Sequence, residues 1–325
     1  MSSPKPESRP IREDDQIIIA HGRGSGAAAR GVASILDLPI VDLEQKEYSD
    51  RQAYARIDRE NGKNNLRDLT VIYFSSVPAI GGISPSDALV DSALAADLFL
   101  KRAHVKAFNE VVLYQTFATE DRTKGEVRAL SLKVAADIMT LNPPNKLLIV
   151  EPHTEYLELA FSGPVSPQFL WTTNFMAANV AHAFRQIDVP QNKVRALGPD
   201  HGSKVRTSQF TNIMRTRYSF LMNPHYGLAE KERISSESTR LMGISGRGAL
   251  KWAWLPLPDD MIRRGTTLAD PAAAAKKRGA SAVLGLVTHG VITRDKKGVP
   301  QILAELNLYR LPPVGSCAQL GEQVF

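Results

Sequence analysis

The chain has 325 residues, 43% hydrophobic and 23% charged, with 40 Lys and Arg against 34 Asp and Glu for a net charge of +6. That length suits two domains of roughly 150 residues, and the apolar fraction is ordinary for a soluble protein with large buried cores. The basic surplus is scattered or held in loops and not interleaved with aromatics, which argues against nucleic acid and fits phosphate-rich small molecules; Cys317 is the only cysteine, so an internal disulfide and a cysteine-based metal site are excluded.

Residues 1–15 are polar, without the apolar run of a signal peptide, and read as a mobile tail. No stretch reaches the ~18 apolar residues of a membrane span, so the expected location is cytoplasmic and no membrane partner is expected. Residues 16–20 form a β-branched run. After it come His21-Gly-Arg-Gly-Ser-Gly26 and an alanine-rich helical segment ending near Leu36, the opening of a doubly wound α/β domain. The glycines at 22, 24 and 26 do not follow the dinucleotide spacing Gly-x-Gly-x-x-Gly, so a tight turn is preferred over a nucleotide loop. Residues 41–57 read as an exposed hairpin, and 69–76 as a buried strand. Over 86–102, Leu89, Ala93, Leu94 and Leu98 recur at helical spacing. A strand over 110–114, an amphipathic helix over 131–139 and a strand over 146–150 follow, the last delivering Glu151-Pro-His153. A lone histidine at a strand end is ordinarily structural.

Pro164-Val-Ser-Pro167 marks a crossing between domains. Asn192 to Arg206 contains Pro199-Asp-His-Gly-Ser203, a pattern that also caps helices. Residues 225–238 are polar and expected to form a flexible loop. The most telling stretch lies beyond it. An apolar run over 250–257 meets the adjacent carboxylates Asp259 and Asp260, then a short turn with Gly265, Thr266 and Thr267, then an alanine-rich helix ending in Lys276-Lys-Arg278, whose cations suit the negative end of the helix dipole. The turn therefore sits at a helix N-terminus, where unpaired N–H groups favour phosphate. Carboxylates beside it can grip sugar hydroxyls directly or through a divalent cation. Asp-Asp is also a common helix cap, so the residues alone leave both readings open.

Asp259-Asp-Met-Ile-Arg-Arg-Gly-Thr-Thr267 resembles the Asp-Asp-x-x-Asp-Thr-Gly-Gly-Thr loop of the type I phosphoribosyltransferase superfamily, in the branch of the ribose-phosphate diphosphokinases. Further likenesses stand in register. Asn192 to Arg206 resembles Ser-Pro-Asp-x-Gly-Gly-x-x-Arg through Asp200, Gly202 and Arg206. Residues 279–290, with Thr288-His-Gly290, resemble Gly-Ala-x-x-Val-x-x-x-x-Thr-His-Gly. Tyr48 to Gln52 resembles Phe-Ser-Asp/Asn-Gly/Gln-Glu, Tyr114 to Lys124 resembles Tyr-x-Arg-Gln-Asp-Arg/Lys-Lys, Glu151-Pro-His153 resembles Asp-Leu-His, and Lys231 with Arg233 fits Lys-x-Arg.

The resemblance covers roughly residues 16–311. It implies two tandem phosphoribosyltransferase-like domains, each a mainly parallel sheet flanked by helices: an ATP-side domain over 16–163, a ribose-phosphate domain over 164–304, and a segment over 305–325 packing back on the first. Residues 301–311 are expected to give a final strand. It also implies transfer of the β,γ-diphosphate of ATP to the 1-hydroxyl of a 5-phosphorylated ribose with Mg²⁺, in a homo-oligomer of two or more copies.

In that family Asp259, Asp260 and Asp200 would hold ribose and metal, with His153 at the metal or the ATP phosphates. Gly265, Thr266 and Thr267 would hold the 5-phosphate, joined here by Arg263 and Arg264. Tyr48, Asp50 and Gln52 would reach ATP across a subunit interface, together with Asp121 and Arg122. Lys231 and Arg233 would steady the phosphoryl groups.

The motifs also depart from the family. Gln52 replaces an acid, and Thr119 and Glu120 stand where Arg-Gln is usual. Ser203 replaces a glycine, and the phosphate turn has exchanged an acid for two guanidinium groups, whose planar forks suit phosphate oxygens. An acceptor with more phosphate, such as ADP-ribose, is one expectation from this. A non-catalytic regulatory paralogue is another. A phosphoribosyltransferase consuming the diphosphate sugar is less favoured, since such enzymes usually need one such domain.

Overall fold

The computed structural model describes residues 9–50, 52–57, 66–78, 82–121, 127, 129–154, 156–220, 227–233, 239–245, 250–263 and 265–291. They divide into two compact units, one up to Leu170 and the other from Trp171.

The first unit is built on β1 (Ile17–His21), β2 (Ile40–Val41), β5 (Thr70–Phe74), β6 (Ala107–Val112), β7 (Lys146–Val150) and β8 (Pro167–Leu170). They form one sheet in the order β2-β1-β5-β6-β7-β8, and every pairing is parallel. A parallel sheet is covered on both faces, so its strands read as continuous apolar runs. Ile18, Val71, Tyr73 and Phe108 pack on one face against Ala95 and Phe99. Ile19 and Phe74 pack on the other against Ala29 and Ala33 of helix α1 (Gly26–Leu36).

Helix α2 (Pro85–Asp97) starts with a capping box between Ser84 and Asp87, with Pro85 in its first turn, and runs into a π-helical turn at Leu98–Arg102. Helices α3 (Ser131–Met139) and α4 (Leu157–Ala160) complete the covering. Strands β3 (Leu43–Glu47) and β4 (Ala53–Ile57) pair antiparallel in a hairpin of their own, outside the main sheet.

Two expectations shift here. The second strand-end segment begins earlier than residue 110, because Ala107 and Phe108 already pair with Thr70 and Val71. The domain boundary expected at Pro164 falls after Leu170, because Pro167–Leu170 pairs with β7 and closes the sheet edge. The tight turn expected after β1 is present. A Cβ on Gly22 would lie 2.3 Å from Ser76 Oγ and 2.6 Å from the Tyr73 hydroxyl, so only glycine lets the turn approach β5 this closely.

Glu110 lies on β6 opposite Tyr73, buried, with Oε1 lacking a hydrogen-bond partner among the described residues. Burial pushes its carboxyl up to about 7 against a weaker opposing hydrogen bond from Ser92. The folded state therefore holds this proton more tightly than the unfolded chain. Its contribution is complete below the ordinary glutamate range and is lost as pH rises through about 7, a change of roughly 3 kcal/mol. Glu110→Gln should flatten that fall. Urea midpoints at about pH 5 and about pH 8.5 measure it, and an unaltered pH slope would contradict the assignment.

The second unit contains β9 (Leu197–Gly198), β10 (Gly227–Arg233), β11 (Thr239–Ser245), β12 (Trp254–Ile262) and β13 (Ala282–Gly290), with helices α5 (Thr173–Gln186), α6 (Lys204–Thr216) and α7 (Thr266–Lys277). β9 and β10 run parallel, β10 and β11 antiparallel, and β12 and β13 parallel. A single parallel bridge, Val194 to Trp254, ties the β9 side to β12. One core joins Val180, Phe184, Phe210 and Met214 with Leu284 and Leu286, and another joins Leu255 and Leu257 with Leu268 and Ala275. Residues 227–233 are not the flexible loop their polarity predicted. They pair strand to strand with β11, through a shift of register at Glu230/Lys231, because backbone pairing with a neighbouring strand and not local polarity decides the conformation. Among the described residues no helix is long and apolar enough to cross a membrane. The strand expected over 301–311 and the segment 305–325 lie outside the described residues.

Candidate active site

In the second unit, the acid pair does not follow the strand; it is the strand. Asp259 and Asp260 occupy the C-terminal part of β12, 7% and 5% exposed, with Asp259 in register with Val287. The sequence reading ended the apolar run at residue 257 and put the acid pair between it and the Gly265 turn. The parallel partner β13 extends far enough to keep them paired and buried.

Arg206, on the first turns of α6, brings Nη1 to 3.7 Å from Asp259 Oδ1 and 4.0 Å from Asp260 Oδ1. The Asp260 backbone N–H donates to Asp259 Oδ1 at 3.0 Å. Desolvation, then the charges of Asp260 and Asp200, hold the Asp259 carboxyl well above the usual carboxylate range, and Arg206 opposes them. Asp200 is thus close enough to act on Asp259, and the structure gathers Asp200, Arg206, Asp259 and Asp260 into one centre.

Asp200 also shapes its own turn. Its Oδ1 accepts from the Ser203 N–H at 3.0 Å, and Ser203 Oγ donates to the Asp200 carbonyl at 2.7 Å. The capping role and the position beside the acid pair coexist. Gly198, just before this turn, lets α6 close on β9, since a Cβ there would sit 2.8 Å from Ser203 Oγ and 2.9 Å from Thr207 Oγ1.

Beyond β12 the chain turns through Arg263, which is exposed, to Gly265 at φ +78°, and α7 begins at Thr266. A left-handed residue at this point costs a side-chain-bearing residue about 1–2 kcal/mol, and glycine adopts it freely. The Leu268 and Ala269 N–H groups close back on the Gly265 carbonyl. The first amides of α7, at Thr266 and Thr267, therefore lie at the positive end of a twelve-residue helix, directly after the acid pair. Arg264 lies outside the described residues.

Like-charged carboxylates crowded in a buried place are what a divalent cation relieves, and hard oxygen donors suit Mg²⁺. No group of three or more His, Cys, Asp or Glu is arranged to hold a metal among the described residues. The donor set therefore fits an ion held by one or two of these carboxylates together with substrate oxygens.

The other predicted residues lie in the hairpin and after strands of the first unit, except Lys231 and Arg233, which belong to the second. Tyr48, Asp50 and Gln52 form the tip of the β3–β4 hairpin. The Tyr48 N–H donates to the Gln52 carbonyl, the Gln52 side chain donates to Asp50 Oδ2 at 2.8 Å, and the Tyr48 ring packs on Tyr54 at 4.8 Å between centroids. Tyr48 is 61% exposed, an available face for a base. Asp121 follows β6 by a loop, and His153 is exposed after β7. Arg122 lies outside the described residues. Lys231 and Arg233 lie on β10 opposite Leu241 and Thr239. Two features escaped the sequence. Phe117 and Glu151, each within a predicted ATP-side segment, hold positive φ of 62° and 44°, and strain of this kind concentrates at functional loops. No periodicity announces it.

No protein-family model matches the chain. It is 26% identical over 279 residues to the ribose-phosphate pyrophosphokinase of Maricaulis maris, covering 85% of this chain and 81% of that one. It is 28% identical over 262 residues to the enzyme of the same name from Hyphomonas neptunium, covering 81% and 76%. The crystal structure of phosphoribosylpyrophosphate synthetase from Mycobacterium smegmatis superposes with a TM-score of 0.65 at 20% identity, over 86% of this chain and 83% of that one. The fold is therefore of the phosphoribosyltransferase type, an α/β architecture with a large parallel sheet flanked by helices. Its sequence is similar to the ribose-phosphate pyrophosphokinases over 81–85% of its length.

Proposed function

We propose that the protein is a transferase that moves the β,γ-diphosphate of ATP onto the 1-hydroxyl of a 5-phosphorylated ribose. The anomeric oxygen attacks the β-phosphorus, the bond from that phosphorus to the α,β-bridging oxygen breaks, and AMP leaves; the hydroxyl proton passes to solvent base. The observation that carries this reading is the acid centre of half-buried Asp200 with the buried pair Asp259 and Asp260, the pair placed directly before the Gly265-led start of α7. One side of it suits sugar hydroxyls and the other a phosphate monoester.

In this reading Asp259 and Asp260 hold the ribose hydroxyls, and Gly265, Thr266 and Thr267 cradle the 5-phosphate with Arg263 and Arg264. Tyr48, Asp50, Gln52, Asp121, Arg122 and His153 face ATP. Lys231 and Arg233 steady the negative charge that shifts during transfer. Asp200 and His153 are each candidate ligands of Mg²⁺, which would neutralise diphosphate charge. The working form is a homo-oligomer in the cytoplasm.

The Arg263 side chain at the phosphate turn favours a second reading of the acceptor, a ribose with a 5-diphosphate such as ADP-ribose. Incubation with ATP, Mg²⁺ and a panel of 5-substituted riboses, followed by chromatography for AMP, separates these. AMP that appears only with an acceptor supports the transfer. No AMP with any acceptor, and no ATP binding by calorimetry, would leave a non-catalytic regulatory paralogue. If the larger acceptor is used, Arg263→Ala should raise its KM about tenfold, the worth of one charge-assisted hydrogen bond, and leave the KM for ribose 5-phosphate within twofold or so.

A further inference from the structure

The β3–β4 hairpin is a two-stranded element outside the main sheet, and an isolated hairpin is at best marginally stable in water. Its tip nevertheless carries Tyr48, Asp50 and Gln52. Its base packs into the core of the first unit through Leu43, Ala55 and Ile57, and its tip end is held by a set of charged contacts on Arg23, a residue of the glycine turn after β1 that none of the functional assignments above uses. Arg23 Nε and Nη2 donate to Asp91 Oδ2 and Oδ1, both at 2.8 Å, in a two-point fork. Nη1 donates to Glu47 Oε1 at 3.0 Å. Glu47 is the last residue of β3 and the immediate neighbour of Tyr48.

The fork is itself held. Asp91, on α2, is fully buried, and Ser76 Oγ at the end of β5 donates to its Oδ2 at 2.7 Å. The Arg23 N–H donates to the same Ser76 Oγ at 2.9 Å. Gln45, buried on β3, donates to the Asp91 carbonyl at 3.0 Å and to the Tyr73 hydroxyl at 3.2 Å. Asp91, itself held by Ser76, therefore sets the guanidinium plane, and Nη1 in that plane reaches Glu47. A planar fork fixed at two points leaves its third donor one direction, which a lysine could not reproduce.

We propose that Arg23, oriented by Asp91, is a positioning residue: it aims the turn over residues 48–52, and hence the nucleotide that this turn takes in the reading above, on which the proposal rests. Each guanidinium nitrogen donates to Asp91 or Glu47, and the role proposed for Arg23 is exerted through the hairpin.

The test uses the full chain with Glu47→Gln, which keeps shape and surface position, and Arg23→Lys, which keeps charge. Backbone hydrogen exchange over residues 43–57 is expected to quicken at least tenfold in both, with β1, β5 and β6 unchanged. The KM for ATP should rise five- to tenfold, with kcat and the KM for the ribose acceptor within twofold. Unchanged exchange over 43–57 would overturn the clamp. Faster exchange with an unchanged KM for ATP would overturn the nucleotide role. A wild-type protein that makes no AMP would instead sink the proposed function, an outcome visible before any variant is made, and the exchange data would then assign Arg23 to the hairpin's stability alone.

Discussion

Asp259→Asn is expected to cut turnover by roughly a hundredfold to a thousandfold, the scale seen when one preorganised charged contact is removed from a reacting centre, and at the same time to make the folded protein more stable. The second half follows from the crowding of the site. Asp259 is buried beside Asp260, with Asp200 adding its charge, and its carboxyl is held well above the usual range by desolvation and these neighbours. A carboxyl so raised contributes fully below its unfolded pKa and loses that contribution as pH rises through its folded value, so near neutrality the pair weakens the fold. Asparagine keeps the shape and removes the charge, for a gain of about 1–2 kcal/mol at pH 8 that disappears in acid. Steady-state rates and denaturant midpoints across pH measure both halves. A variant that lost activity and stability together would place Asp259 in ordinary packing and not in a strained functional centre.

Arg206→Ala should have the opposite stability effect. Its guanidinium lies beside the Asp259 and Asp260 carboxylates, at 3.7 and 4.0 Å, with all three side chains largely buried, and opposes the upward shift of Asp259. Removing one partner of a buried pair leaves the other uncompensated, at a cost of several kcal/mol. The separations are longer than a close ion pair, which puts the expected loss at about 3 kcal/mol near neutral pH. The carboxyls can take up protons instead, so the loss should shrink steadily as pH is lowered. Thermal or urea unfolding at several pH values reads it directly, and a loss independent of pH would mean that Arg206 acts by packing alone. Added Mg²⁺ should restore part of the stability if the acid centre takes a cation, since a ligand bound to the folded state alone stabilises it by mass action.

Much of this was legible in the chain. Short apolar runs at 16–20, 69–76 and 146–150 marked β1, β5 and β7, the Gly279 to Gly290 resemblance marked β13, and the alanines and terminal lysines of α7 marked its direction. Asp200, Arg206, Asp259 and Asp260 stand far apart in sequence, and only their register with one family's motifs brought them together before the coordinates did. Three things were not legible. The acid pair lies within β12 because a parallel neighbour continues beside it, and pairing partners are not written in local composition. The strand β10 hides behind polar residues for the same reason. Arg23 gave no signal, because its partners Glu47 and Asp91 are distant in sequence and an arginine among glycines reads as a turn.

The left-handed backbone at Glu151 has a further implication for the first unit. A glutamate rarely rests in that conformation, and it is buried immediately before Pro152 and His153, with its N–H bound to the Leu170 carbonyl. Glycine would occupy the same place with less internal stress and a looser grip on the histidine that follows. A change to glycine here would therefore at once relax the backbone and loosen the segment that carries His153.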